Sequence, residues 1–308
     1  MAMAKHAGVE LKPDDWQDEG FDIPLLANIQ PAGKYLGEKF HRAGGVPAIM
    51  WELLSAGKID GSCASVTGKT MAENLEGRES SDRDVIFPYD KPLKERAGFL
   101  VMKGNLFDFA IMKMSVVSPE FRDRYLSEPG QEGIFDGRAI VFDGSEDYHK
   151  RINDPALNID ERCILVIRGA GPLGWPGSAE VVNMQPPDHL IKRGITSLPT
   201  IGDGRQSGTA DSPSILNASP ESAAGGGLAW VRNGDTIRID FNKGRCDMLV
   251  DEAEIARRKA EGIPQTPADA TPWQMIYRQT VTQLADGATI RDADKFRQLA
   301  KTPPRHNH

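Results

Sequence analysis

The stretch RCILVIRGAGPLGWPGSAEVV, residues 162–182, places a continuous apolar run directly before a loop rich in glycine and proline. The run CILVIR predicts a β-strand, because a short apolar run bounded by turn residues is typical of one. Four glycines and two prolines follow in residues 169–177, and a helix is expected to begin at Ser178. Glu180 would then lie in the first turn of that helix and point back towards the loop.

A second stretch, SLPTIGDGRQSGTADSPS at 197–214, repeats this arrangement of a short strand and a glycine-rich polar loop. Polar loops held at strand ends often carry chemistry, so the two loops are candidates for one site. Ser207 is open to two interpretations, a turn residue that satisfies its own backbone or a catalytic hydroxyl. Glu180 is equally open, as a complement to a helix dipole or as an oxygen ligand for Mg²⁺.

Two familiar motifs are disfavoured by single residues. VTGKT at 66–70 resembles the end of a phosphate-binding loop, but Cys63 stands where that motif needs glycine. The loop around Ser207 is not the G-x-S-x-G turn of esterases, because Arg205 replaces the first glycine. We therefore expect neither a P-loop nucleotidase nor a serine hydrolase.

Composition limits the classes of partner. The 308 residues carry a net charge of −7, which gives no electrostatic support for binding nucleic acid or an anionic membrane. Cys63, Cys163 and Cys246 lie far apart and have no metal-finger spacing. Such sparse cysteine usage indicates a reducing compartment, and we expect the protein to be cytoplasmic.

The pattern of apolar residues along the chain changes near the segment FPYDKPLKERAG at 87–98, which is rich in proline and charge. Residues 1–95 have the pattern of α/β material, with a helix predicted over 41–57. Residues 96–308 consist of short β-type runs separated by turns, with inserted helices and a helical C-terminal part. The clearest hairpin signal is RNGDTIRIDFNKGRCDMLV at 232–250, which alternates apolar and polar residues around Asn-Lys-Gly. We predict α/β material followed by a β-rich barrel or sandwich.

Five segments together resemble the dihydroxy-acid and sugar-acid dehydratases, in the same order and along essentially the whole chain. They are AGGVPAIMWELL (43–54), DGRAIVFDGSED (136–147), VIRGAGPLGWPGSAEV (166–181), IGDGRQSGT (201–209) and NGDTIRIDFNKGRCDMLVDEAEIARR (233–258). The loop variants are similar to those of the sugar-acid branch, which acts on aldonates such as arabinonate, xylonate or galactonate.

The resemblance implies removal of water from a 2,3-dihydroxy acid to give a 2-keto-3-deoxy acid. It implies an iron–sulfur cluster, expected to be 2Fe-2S, as Lewis acid on the C3 hydroxyl, and Mg²⁺ on the carboxylate. By position, Ser207 matches the family's proposed base and Glu180 matches a Mg²⁺ ligand. Thr209, beside Ser207, is expected to orient the substrate or the base.

The chain also departs from the family pattern. The family's cluster cysteines and other Mg²⁺ ligands lie before the matched region, and the three cysteines here do not stand at cluster positions. The resemblance thus implies the C-terminal half of a dehydratase. Residues 1–95 would be the C-terminal portion of the α/β cluster-binding domain, and 96–308 a β-barrel-like domain of swivelling type with a helical tail.

The expected partners are an aldonate substrate and a missing N-terminal half or homologous subunits, with a homo-oligomer in the full enzyme. Alone, the chain is expected to be inactive and to self-associate through exposed apolar surface. Three alternatives remain open: an inactive relic or assembly module of the family, a dihydroxy-acid dehydratase of branched-chain amino-acid synthesis, and a domain that binds an acid without a cluster.

Overall fold

A computed structural model describes residues 1–177, 180–181, 184–207, 213–293 and 295. The chain divides into two compact units. The larger unit comprises Met1–Asp18, Phe99–Lys113 and Val117–His308, and the smaller comprises Glu19–Gly98 and Met114–Val116.

The larger unit is organised around one mixed sheet of eight strands. The strands of the unit are β1 Phe99–Met102, β2 Phe109–Lys113, β3 Ile134–Asp143, β4 Cys163–Arg168, β5 Glu180–Val181, β6 Thr200–Gly202, β7 Arg205–Gln206, β8 Ser214–Ser219, β9 Thr236–Asp240 and β10 Arg245–Met248. In the main sheet the order is β1-β2-β8-β6-β4-β3-β9-β10, while β5 and β7 form a separate two-stranded ribbon. Neighbours among β8, β6, β4 and β3 are parallel, and the outer pairs are antiparallel.

The two edge strands of this sheet meet at Lys103. Its N–H donates to the carbonyl of Gly244 at 2.9 Å, and its carbonyl accepts from Cys246 N–H at 2.8 Å. This bridge between the end of β1 and the start of β10 nearly closes the sheet. The prediction of a β-rich, barrel-like region with inserted helices is confirmed at this level.

Sequence pattern accounts for the central strand and for the hairpin. The run CILVIR forms β4, and its residues from Cys163 to Ile167 are at most 1% exposed, as is typical of a parallel strand covered on both faces. The predicted hairpin forms β9 and β10, with Arg245 opposite Asp240. Asp240 accepts from the N–H groups of Asn242 and Lys243, and Gly244 has φ +61°, which a glycine adopts without strain.

Helices flank this framework and fill the smaller unit. They are α1 Ala2–Ala7, α2 Asp15–Asp18, α3 Gly37–Arg42, α4 Gly45–Ser55, α5 Met71–Leu75, α6 Pro119–Tyr125, α7 Ser145–Arg151, α8 Asp188–Ile191, α9 Glu252–Ala260 and α10 Pro272–Thr280. Each helix in the described part of the chain is too short or too polar to span a bilayer.

The smaller unit contains α3, α4 and α5, and its core includes Ala43, Ala48, Val85 and Ile86. The helix predicted over 41–57 is α4, which begins at Gly45. The apolar run IPLLANI at 23–29 has the pattern of a strand but forms only single bridges, Leu25 with Lys94 and Ala27 with Ile86. Pro24 lies within that run and Pro31 follows it, and neither supplies an N–H, which keeps the run from extending into a ladder.

Candidate active site

Two glycine-rich loops leave the main sheet from neighbouring strands. β4 and β6 are paired in parallel, with Ile167 opposite Gly202, so their carboxyl ends lie at one edge. The loop after β4 begins at Gly169, and the loop after β6 begins at Asp203. The sequence-based expectation that the two loops start from one place is confirmed.

Asp203 joins the two loops through a fully buried carboxylate. It accepts hydrogen bonds from the backbone of Gly169 at 3.1 Å and of Ala170 at 2.9 Å. It also accepts from Ser222, at 2.9 Å from the N–H and 2.6 Å from the hydroxyl. Four donors on one buried carboxylate compensate its desolvation and fix where the loop after β4 leaves the sheet.

Glu221 holds the middle of the same loop. Its carboxylate is fully buried and accepts from the N–H groups of Leu173 and Gly174 and from Nε2 of Gln283, each at 2.9 Å. A Cβ at Gly171 would lie 2.5 Å from Oε2 of Glu221, so this position requires glycine. Burial raises the pKa of the Glu221 carboxyl, although these hydrogen bonds act in the opposite direction.

Arg168 stabilises the end of β4 beside these carboxylates. Its Nε donates to Oδ1 of Asp143 at 2.6 Å, across the paired ends of β3 and β4. Its Nη1 donates to the carbonyls of Ala229 and Val231, each at 3.0 Å. The loop that begins at Gly169 is therefore anchored on both sides of its first residue.

The β5–β7 ribbon brings Glu180 near Ser207. In the register of this parallel strand pair, Glu180 lies opposite Arg205, and Val181 lies opposite Gln206, the residue before Ser207. Strand spacing and rise place the Cα atoms of Glu180 and Ser207 about 8 Å apart. Because side chains alternate along a strand, we expect Arg205 and Ser207 to face the same side of the ribbon as Glu180.

The two candidate residues differ in their exposure to solvent. Glu180 is exposed, which leaves its carboxylate oxygens accessible to a ligand. Ser207 is 2% exposed, and its carbonyl accepts a hydrogen bond from Nζ of Lys113 at 2.9 Å. Thr209, the third candidate, lies outside the described residues.

The predicted helix at Ser178 is wrong where the structure describes this segment. Glu180 and Val181 form strand β5, so Glu180 does not lie in a first helical turn. A run of two valines favours extended backbone, and Pro186 and Pro187 limit any helix that starts before them. Helix α8 begins only at Asp188, directly after the prolines.

The described residues supply few ligands for the expected cofactors. No three His, Cys, Asp or Glu side chains among them come together as a metal-binding group. Cys163 and Cys246 are buried, whereas Cys63 is exposed and lies in the smaller unit. These cysteines do not fit an iron–sulfur cluster, whereas the exposed carboxylate of Glu180 suits a hard cation as one oxygen ligand.

Sequence reasoning missed Asp203, Glu221 and Lys113. Asp203 lies in the second glycine-rich loop, within the stretch 197–214, but polar residues between glycines are typical of any turn. Glu221 and Lys113 act on loops far away in sequence, and a single sequence contains no signal for such contacts. An acidic residue just after a predicted buried strand, as at Asp203, is the one local sign that was available.

Comparison with known proteins identifies relatives along the whole chain. The family model described as dihydroxy-acid/6-phosphogluconate dehydratase C-terminal matches residues 84–288, and the corresponding N-terminal model matches residues 1–74. The D-xylonate dehydratase of Caulobacter vibrioides is 72% identical over 308 residues, which is 100% of this chain and 52% of that protein.

More distant relatives show the same coverage. The L-arabinonate dehydratase of Rhizobium leguminosarum bv. trifolii is 38% identical over 94% of this chain and 48% of its own length. The dihydroxy-acid dehydratase of Clostridium beijerinckii is 36% identical over 96% of this chain and 50% of its own length. The chain spans about half the length of the curated relatives that it matches.

Proposed function

Since the chain belongs to the dihydroxy-acid/6-phosphogluconate dehydratase family, we propose that it supplies the C-terminal half of a sugar-acid dehydratase. The proposed substrate is an aldonate of the D-xylonate type, and the product is the corresponding 2-keto-3-deoxy acid. The relative at 72% identity, a D-xylonate dehydratase, supports this choice over a branched-chain dihydroxy acid.

In the proposed reaction, Ser207 takes the proton from C2 as a general base, and the C3 hydroxyl leaves. The C2–H and C3–O bonds break, a C2=C3 double bond forms, and the enol becomes the 2-keto acid. The proton removed from C2 balances the hydroxide lost from C3, so the net change is loss of one water. A serine hydroxyl is a weak base in water, so positive charge near Ser207 is needed to favour its alkoxide.

The iron–sulfur cluster and Mg²⁺ that the family resemblance implies would supply Lewis acidity at the C3 hydroxyl and the substrate carboxylate. Glu180 would hold the Mg²⁺ as one of its oxygen ligands, and Thr209 would orient the substrate or the base. Asp203 and Glu221 would have a structural role, because their hydrogen bonds hold the loop that leads to Glu180 in one position.

The domain assignment and the partners belong to the same proposal. Residues 1–95 would form the end of the cluster-binding α/β domain, and residues 96–308 the barrel-like domain of swivelling type. The cluster ligands would come from a segment that corresponds to the part of the relatives that this chain does not match, in a cytoplasmic homo-oligomer.

The observation that carries the proposal is the pairing of β5 with β7, which sets a candidate metal ligand beside a candidate base. The test co-expresses this chain with the segment of the Caulobacter D-xylonate dehydratase that the match does not cover. After reconstitution with iron, sulfide and Mg²⁺, this complemented preparation is assayed for 2-keto-3-deoxy acid from several aldonates. We expect D-xylonate turnover, with a loss of about 10²–10⁴-fold in kcat for Ser207→Ala, as is typical for a general base.

Ser219→Ala is the matched control, because Ser219 is also buried, at 3% exposed, and lies at the end of β8. This variant should fold and retain turnover. A Ser207→Ala preparation as active as Ser219→Ala would refute the assignment of the base. A complemented preparation that loads its cluster and dehydrates no aldonate would refute the proposed substrate class.

A further inference from the structure

The contact between Lys113 and Ser207 is the starting observation. Lys113 is the last residue of β2, pairs with Phe99 of β1 and is half-buried. Met112 pairs with Ile215, so Lys113 stands beside the start of β8. From there its Nζ reaches the Ser207 carbonyl at 2.9 Å. A residue of the main sheet thus holds the backbone of the candidate base.

We infer that Lys113 is a positioning residue for Ser207. Lys113 ties the serine to the end of β2 and keeps a positive charge beside the serine hydroxyl. The inference rests on the proposed function, in which Ser207 is the base. It goes beyond that function because it names the group on this chain that would favour the alkoxide.

The geometry sets the strength of the effect. Covalent dimensions keep the carbonyl oxygen and Oγ of one serine within about 4 Å, so Nζ lies within about 7 Å of Oγ. At that range a cation favours a neighbouring anion, and partial burial limits screening by solvent. The other charged groups on the adjoining ribbon are Arg205 and Glu180, and both are exposed, so solvent screens them more strongly.

A thiol placed at position 207 reports this charge without cofactor or turnover. The background is Cys63→Ser, which removes the exposed thiol. Burial raises the pKa of Cys163 to about 11 and raises that of Cys246 as well, so neither should ionise below pH 9. Ser207→Cys is then added, and thiolate absorbance is followed from pH 5 to pH 9 against the background chain.

Lys113→Gln keeps a hydrogen-bond donor and removes the charge, whereas Lys113→Arg keeps the charge. We expect Lys113→Gln to move the titration to higher pH and to lower the thiolate fraction at pH 7 by about tenfold. Lys113→Arg should leave the titration in place. Lys113→Met is a second neutral variant. Native near-ultraviolet circular dichroism shows which neutral variant is folded, and the titration of that variant is the one compared with its parent.

Lys94 provides the matched control. Its Nζ donates to the carbonyl of Ser115 at 2.6 Å, which is the same type of bond within the smaller unit. Lys94→Gln should leave the thiol titration unchanged. Coincident titrations for the folded neutral Lys113 variant and its parent would overturn the inference.

Turnover in the complemented preparation gives the second readout. Lys113→Gln should lower kcat about tenfold with little change in KM and should move the rising limb of the pH profile to higher pH. An unchanged pH profile would overturn the role of Lys113 in the reaction. Failure of the proposed function is distinct, because Ser207→Ala would then retain turnover while the thiol titration still reported the charge of Lys113.

Discussion

At the scale of single residues, the buried carboxylate of Asp203 accepts four hydrogen bonds near the site. Asp203→Ala would remove the acceptor of the N–H groups of Ala170 and Ser222 and of the Ser222 hydroxyl in a buried place. The Gly169 N–H would keep its bond to Oγ of Ser222 at 2.9 Å. Each unsatisfied buried donor costs about 1–3 kcal/mol, so we expect the free energy of unfolding to fall by about 3 kcal/mol or more. Urea unfolding at pH 7 measures this change.

Asp143→Asn is the control for Asp203→Ala. The Asp143 side chain is 63% exposed and makes its ion pair with Arg168 at the surface. Exposed pairs contribute about 0–1 kcal/mol, so its urea midpoint should move little. Equal midpoint shifts for the two variants would show that the four hydrogen bonds of Asp203 do not stabilise the loop.

At the scale of elements, helix α9 is stabilised by charges that titrate. Asp251 caps its first turn by accepting from Glu254 N–H at 2.7 Å. The side chain of Glu254 accepts from Arg257 and Arg258, which lower its pKa to about 2. Arg258 is buried and also binds Asp235, which attaches the helix to the turn before β9.

A lowered carboxyl pKa gives this pair a defined pH window. Its stabilisation is complete above the ordinary pKa of about 4.5 and is lost as the pH falls through about 2. We therefore expect Glu254→Gln to have a lower Tm than the parent at pH 7, and the difference to shrink between pH 4.5 and pH 2. Thermal unfolding followed by circular dichroism across this range measures it.

Glu252→Gln tests whether the effect belongs to the ion pairs or to the helix terminus. Glu252 lies in the same first turn, where a carboxylate interacts with the helix dipole. Its substitution should lower Tm less than Glu254→Gln. A Glu254→Gln difference that stayed constant down to pH 2 would contradict the assignment of the pKa to the two arginines.

At the scale of the whole molecule, local sequence patterns predicted those helices and strands that nearby residues determine. The strand CILVIR, the hairpin around Asn-Lys-Gly and the helix α4 all follow from periodicity and turn residues. The strand β5 could not be predicted, because it pairs with β7, where Arg205, the residue opposite Glu180, lies 25 residues further along the chain. The same holds for Glu221, whose role depends on a loop 47 residues before it.

The candidate site was predictable in part for the same reason. Ser207 and Glu180 were found from glycine-rich loops and from the family resemblance, and their roles remain predictions. What brings them together is the β5–β7 pairing, and Lys113 reaches Ser207 across 94 residues of sequence. Burial and long-range hydrogen bonds decide such contacts, and neither has a local pattern that a single sequence displays.

The distribution of thiols offers a test of the whole fold. Cys163 and Cys246 are buried in the larger unit, and burial raises both pKa values, that of Cys163 to about 11. Cys63 is exposed, although its pKa is raised by the charge of Asp60 and by their hydrogen bond. Because alkylation needs an accessible thiolate, we expect the native chain to label at Cys63 alone at pH 8.

Mass spectrometry after iodoacetamide treatment counts these labels. The native chain should carry one label, Cys63→Ser should carry none, and denaturant should expose all three cysteines. Asp60→Asn should speed the labelling of Cys63, since it removes the charge that opposes the thiolate. Rapid native labelling of Cys163 would mean that β4 is accessible, which is incompatible with a central strand covered on both faces.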